Sequence, residues 1–176
     1  MIVLGIDPGV KGALVLHNGQ TGGWRVASMP GSEAKVVDLI ARWTRDYKID
    51  FCLLEQVHAI PAERDDKGEI TQGMSSSAMF KFGRGAGVLV GAILALYGQD
   101  RFEEIPPQTW QKALAIPSRL TERKAKRLNV EPESKRDFKY RLMERAKALF
   151  PSAEQSITFD NADAFLIAKV AVLLKQ

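Results

Sequence analysis

The chain opens on a strand that ends in a charge. Residues 1–9 read Met-Ile-Val-Leu-Gly-Ile-Asp-Pro-Gly. Ile2, Val3, Leu4 and Ile6 form a short apolar run with β-branched character, and Pro8-Gly9 closes it as a turn. Such a run reads as a buried strand. Asp7, at its edge, is therefore held close to a rigid core. A turn cap alone would account for one aspartate before Pro-Gly. The positions of the other carboxylates weigh against that as the whole explanation.

The next residues predict a meander. Gly12 to His17 reads as a second strand, Asn18-Gly19 as a hairpin turn, and Gly23 to Ser28 as a third strand. Ser32 can cap a helix over 35–47, in which Val36, Leu39, Ile40 and Trp43 recur at helical spacing. Ile49 to Leu54 is then a second buried strand, ending in Glu55-Gln56. The order strand, helix, strand favours parallel pairing with the first strand. Glu55 would then lie beside Asp7 at the carboxyl edge of an open sheet, where ligand sites collect.

Ala59 to Gly73 is polar and turn-rich and reads as a mobile loop near that edge. Ser75-Ser76-Ser77 can cap a long helix running to Tyr97. Gly83, Gly85, Gly87 and Gly91 fall inside it, and so do not form a phosphate loop. They are expected to allow close packing against the sheet or another helix. Arg101 to Ile105 predicts a fifth strand, and Gln108 to Ala115 a short helix. Ile116 to Glu133 reads as an exposed basic arm, Ser134 as the cap of a helix through Phe150, and Ile157 to Lys175 as a buried final helix. The length and absence of repeats indicate one domain over 1–176.

Composition narrows the setting. The single cysteine, Cys52, excludes an intramolecular disulfide and fits a reducing compartment. No signal peptide is evident, and the longest apolar run, 86–97, is too short to span a bilayer, so a cytoplasmic protein is expected. Charge is unevenly spread. Lys112 to Lys147 holds 12 Lys and Arg against 5 Asp and Glu, while the remainder holds 13 against 16. One basic segment on a slightly acidic body points to a polyanionic partner, against the plainer reading of a solvated helix face.

The final helix carries two more acids. Asp160 and Asp163, three residues apart near its start, are expected on one helix face. N-capping accounts for one of them, not readily for two. Asp7, Glu55, Asp160 and Asp163 would repel one another if they met, and a divalent cation removes that conflict. An all-carboxylate set suits Mg²⁺ or Mn²⁺ and not zinc. Two such ions can activate water and stabilise the leaving oxygen of a phosphodiester. An acidic two-metal site with a basic surface describes a nuclease.

These motifs resemble those of the RuvC-type Holliday-junction resolvases of the ribonuclease H-like superfamily. Gly5-Ile6-Asp7-Pro8-Gly9 matches the opening motif, Glu55-Gln56-Val57 the second, and Asp160-Asn161-Ala162-Asp163-Ala164 with Ile167-Ala168 the last. The resemblance implies an α/β fold with a mixed five-stranded sheet flanked by helices, a homodimer, and Mg²⁺-dependent paired nicking of branched, four-way DNA. It implies Asp7, Glu55, Asp160 and Asp163 as metal ligands. The family often has an aromatic wedge after its second motif, where this chain has His58, with Phe80 and Phe82 as alternatives. A family lysine near the scissile phosphate matches Lys135 best, with Lys112 as a second candidate. Arg84, Lys124, Lys126, Arg127, Lys139 and Arg145 complete the expected DNA contacts. Arg119 to Arg127 looks like an insertion and would fit a phage or prophage branch. Two alternatives stay open: a nuclease of broader specificity on the same fold, acting on RNA–DNA hybrids or flaps, and a non-catalytic junction-binding protein.

Overall fold

The computed structural model describes residues 1–58, 63–64, 70–175, with the side chains of 63–64 and 70–72 not among them. Five strands form one mixed sheet: β1 (Ile2–Asp7), β2 (Ala13–Asn18), β3 (Trp24–Ser28), β4 (Phe51–Glu55) and β7 (Phe102–Ile105), in the order β3-β2-β1-β4-β7. β1, β2 and β3 form the antiparallel meander, and β1, β4 and β7 pair in parallel. The turn after Asn18 is longer than Asn-Gly alone. Asn18 Oδ1 accepts from the amides of Gln20 and Thr21, and the chain returns only at Gly23. The expected loop over 59–73 lies largely outside the described residues. Its described parts pair as β5 (Glu63–Arg64) and β6 (Ile70–Gln72).

Helices cover both sheet faces: α1 (Glu33–Asp46) and α2 (Ser76–Tyr97) on one, α3 (Pro107–Ala113), α5 (Lys135–Leu149) and α6 (Ala162–Leu174) on the other. This layering explains why the strands read as continuous apolar runs: side chains alternate between two buried faces. On β1, Leu4 and Ile6 join the core under α1 and α2, whereas Val3 joins the core under α6. On β4, Cys52 and Leu54 face the first side, and Phe51 and Leu53 the second. The alternation carries Asp7 and Glu55 onto the α6 side.

α6 lies directly on β1 because Gly5 has no side chain. A Cβ there would stand 2.3 Å from the backbone nitrogen of Ala168. Ala164 and Ala168 supply the matching small surface, and almost every α6 side chain before Leu173 is buried.

Three helical expectations need correction. The last helix begins at Ala162, not at Ile157, because residues 151–156 wind as a 3-10 helix, Ile157 is extended and 159–161 form a turn. Ile116 to Glu133 is largely exposed, as expected of the arm, but it is packed down and not free of structure. It contains α4 (Glu122–Leu128), with Ala125 buried, and is tied down by Arg141, which donates to both Glu133 oxygens and to the Pro117 carbonyl. Among the described residues, the glycines of α2 do not admit a neighbouring element: a Cβ on Gly83, Gly85, Gly87 or Gly91 would meet nothing within 4 Å. α2 runs from Ser76 to Tyr97 with Ser75 as its cap, as expected, and over this length it is long and apolar enough to cross a membrane by length and composition, whereas the run 86–97 alone is too short.

Candidate active site

One hollow is lined by Asp7, Gly9, Lys11, Gly12, Glu55, Lys139, Phe159, Asp160 and Asp163. Its acids arrive from three directions. Asp7 and Glu55 end neighbouring parallel strands, one step beyond the Ile6–Leu54 pair. Asp163 is in the first turn of α6 and Asp160 in the turn before it. Asp160 and Asp163 therefore do not share a helix face. They meet the hollow because the chain bends into the helix between them.

Each inner carboxylate is held by a named donor. Asp7 Oδ1 accepts from the Gly9 amide at 3.0 Å. The turn behind it is tight, since a Cβ on Gly12 would stand 2.1 Å from the Asp7 carbonyl oxygen. Glu55 Oε1 accepts from Trp110 Nε1 at 2.9 Å. Trp110 is fully buried, so the bond fixes both groups. Lys139 Nζ donates to Asp163 Oδ2 at 2.5 Å. The other Asp163 oxygen, Oδ1, is buried without a hydrogen-bond partner.

The electrostatics are those of crowded negative charge. Burial, with Asp163 and Asp160 nearby, holds the Asp7 carboxyl above its usual range despite the Gly9 amide. Burial, then Asp7 and Asp163, pushes Glu55 up to about 7. Burial disfavours the Lys139 charge, but Asp163, Asp7 and Glu55 outweigh it and its pKa is raised. Among the described residues, no three acidic, imidazole or thiol groups form a ready-made metal cluster. The Gly9 amide, Trp110 and Lys139 each bond one oxygen of Asp7, Glu55 and Asp163 respectively. The donor set still fits a hard cation. It is all oxygen, its charge is unbalanced, and it includes an orphaned buried oxygen.

The remaining expected residues are dispersed. Lys135 lies one turn before Lys139 on α5, is exposed, and does not line the hollow. Lys112 lines a separate hollow with Gln108 and Gln111 on α3. Lys124, Lys126 and Arg127 are exposed on α4, where Lys124 donates to Ser118 Oγ. Arg145 donates to the Leu114 carbonyl. His58 is exposed just past β4. Phe80 is exposed on α2. Phe82 lines an apolar groove with Pro8, Val10 and Met29, and Arg84 is paired bidentately with Glu33 at 2.8 Å.

Trp110 and the central place of Lys139 were not singled out from sequence. Lys139 had a signal: it precedes the buried Leu142 and Met143 by three and four residues, in phase with the packed face of α5. Trp110 had a weaker one, since a buried indole N–H needs an acceptor.

No family model matches the chain, and no curated protein matches it. Solved structures do. A Thermus thermophilus RuvC in complex with Holliday junction substrate is 16% identical, with 96% of this chain and 90% of that chain covered and a TM-score of 0.51. A second Thermus thermophilus RuvC structure is 17% identical, covering 96% and 91%, with a TM-score of 0.48. A Fowlpox virus resolvase with substrate Holliday junction DNA is 13% identical, covering 99% and 96%, with a TM-score of 0.37. The order β3-β2-β1-β4-β7 with helices on both faces is thus a ribonuclease H-like α/β fold, shared with RuvC.

Proposed function

We propose that this chain is a Holliday-junction resolvase, a divalent-metal-dependent endonuclease that cuts four-way DNA by paired phosphodiester hydrolysis. The observation that carries the reading is the meeting of Asp7, Glu55, Asp160 and Asp163 in one hollow on a fold shared with a RuvC solved on a junction. Asp7, Glu55, Asp160 and Asp163 would hold Mg²⁺ or Mn²⁺, which when bound polarises a phosphate oxygen and lowers the pKa of a water. The chain's own groups then have distinct tasks. Trp110 and the Gly9 amide orient the two strand-end carboxylates. Lys139 keeps a positive charge at the hollow and can bind a phosphate oxygen from there. In that role it replaces Lys135, which lies outside the hollow.

A four-way junction presents two equivalent strands, so a two-fold dimer with two hollows matches it. α2 offers a surface for such a pair. Phe80, Gly83, Gly87 and Gly91 follow one another along its outer side, where small residues let two helices approach closely.

The test is cleavage of a synthetic four-way junction in Mg²⁺, with cuts mapped on all four strands. Asp7→Asn should abolish nicking while binding persists. Lys139→Ala should slow it by about 100-fold or more, and Lys135→Ala by much less. Retained cutting by Asp7→Asn, or faster cutting of an RNA–DNA hybrid than of the junction, overturns the assignment.

A further inference from the structure

Two aromatic rings stand open beside the acidic hollow. Phe159 immediately precedes Asp160, lines the hollow, and is 40% exposed. Tyr140 immediately follows Lys139 and is 53% exposed. Their ring centroids are 6.2 Å apart with planes tilted by 44°. Among the described residues, Phe80, Tyr140 and Phe159 are the exposed phenylalanine and tyrosine rings, and two of these three face each other here. A tilted pair at this separation covers part of one face of each ring and leaves π surface open to solvent.

Position and charge say what that surface meets. Groups in the hollow act on a phosphate and give the adjoining base no partner. Stacking supplies one, because every nucleobase offers a neutral π face. Cations flank the rings for the adjoining phosphates. Lys139 is next to Tyr140, and Arg136 is one helical turn before it on the same side of α5. A base paired and stacked within a continuous duplex has no free face. One at a branch point does.

We infer that Tyr140 and Phe159 form a stacking shelf for the nucleobase beside the phosphate that is cut, and so favour a nucleotide already freed from its duplex stack. The inference rests on reading the hollow as a phosphodiester-cleaving site.

The experiment couples a protein ring to a DNA base. Junctions are prepared intact and with an abasic nucleotide beside the mapped cut, and kcat and KM are measured with wild type, Phe159→Ala, Tyr140→Ala and Phe159→Trp. On the intact junction each alanine variant should lose about 5- to 100-fold in kcat/KM, the range for one stacked base. On the abasic junction the same variants should lose less than about twofold, since the partner is already gone. Phe159→Trp should retain activity on the intact junction. Phe159→Leu, which keeps apolar bulk without the π face, should behave as the alanine variant and guards against misfolding. Equal losses on both junctions overturn the shelf while leaving the nuclease reading in place. Equal losses accompanied by a lower mass in solution show instead that the rings join two copies, and also overturn it. A wild type that cuts no junction in Mg²⁺ or Mn²⁺ overturns the nuclease reading, and the shelf with it.

Discussion

Glu55 is held by Trp110 and crowded by Asp7, and both influences are measurable. Trp110→Phe keeps an aromatic ring in the core but removes the N–H that orients Glu55. Loss of such an orienting bond typically weakens metal affinity by about 10- to 100-fold, which calorimetric titration with Mn²⁺ would register. The Glu55 carboxyl, pushed up to about 7, has a pH signature. Between its unfolded value near 4.5 and its folded value, the native state binds more protons than the unfolded chain. This contribution to stability is present below the unfolded pKa and is lost as pH rises through about 7. Asp7 acts in the same direction. His17 opposes them, because burial lowers its pKa and its contribution is lost as pH falls. Comparison with Glu55→Gln isolates the effect. Metal-free wild type should melt progressively below that variant between pH 5 and 8, by about 5 °C at the upper end. Parallel melting curves across that range would show that Glu55 does not titrate there.

Among the elements, α6 decides whether a site exists. Its first turn brings Asp163 to Asp7 only because Gly5 and Ala168 let helix and strand touch. Gly5→Ala places a methyl against backbone that cannot move aside locally. Overpacking of this kind costs about 1–3 kcal/mol, or about 2–9 °C in Tm for a chain of this size. Thermal melts and junction cutting measured together should show activity falling further than stability, because the displaced end of α6 carries Asp163, one of the proposed metal ligands. The acids of this element were legible as residues but not as geometry. Spacing of three suggested one helix face for Asp160 and Asp163, whereas the chain turns at 159–161 and only Asp163 is helical. A buried apolar segment looks the same to a pattern whether its first turn winds or bends. α4 was legible within its own segment, since Thr121 precedes the helix-forming run Glu122–Leu128 and Asn129 caps it in the left-handed region. What was hidden is the tie at its flanks, where Arg141 of another helix bonds Glu133 and Pro117.

For the whole molecule, the face that α2 leaves open is the consequential feature. Gly87→Arg adds a long charged side chain where a Cβ would meet, among the described residues, nothing within 4 Å beyond its own helix. The folded protomer should therefore melt within about 2 °C of wild type, as exposed substitutions do. If α2 joins two copies, light scattering should show the dimer mass halved, and paired nicking of a junction should become single nicking. An unchanged mass would show that α2 does not join two copies.

Much of this protein was determined by local chemistry. Apolar runs of strand length, an acid at the end of two of them, and the order strand, helix, strand put Asp7 and Glu55 at one sheet edge, because a two-sided core and parallel pairing leave few alternatives. Tertiary structure alone decided which groups complete the hollow. Trp110 lies 55 residues from Glu55, and Lys139 lies 24 from Asp163. Lys139 and Lys135 differ by one turn of the same helix, so only the docking of α5 against α6 separates the lysine that meets Asp163 from the one that faces solvent. Periodicity reports which side of a helix is buried, but how far along its neighbour it sits is set by packing between distant segments.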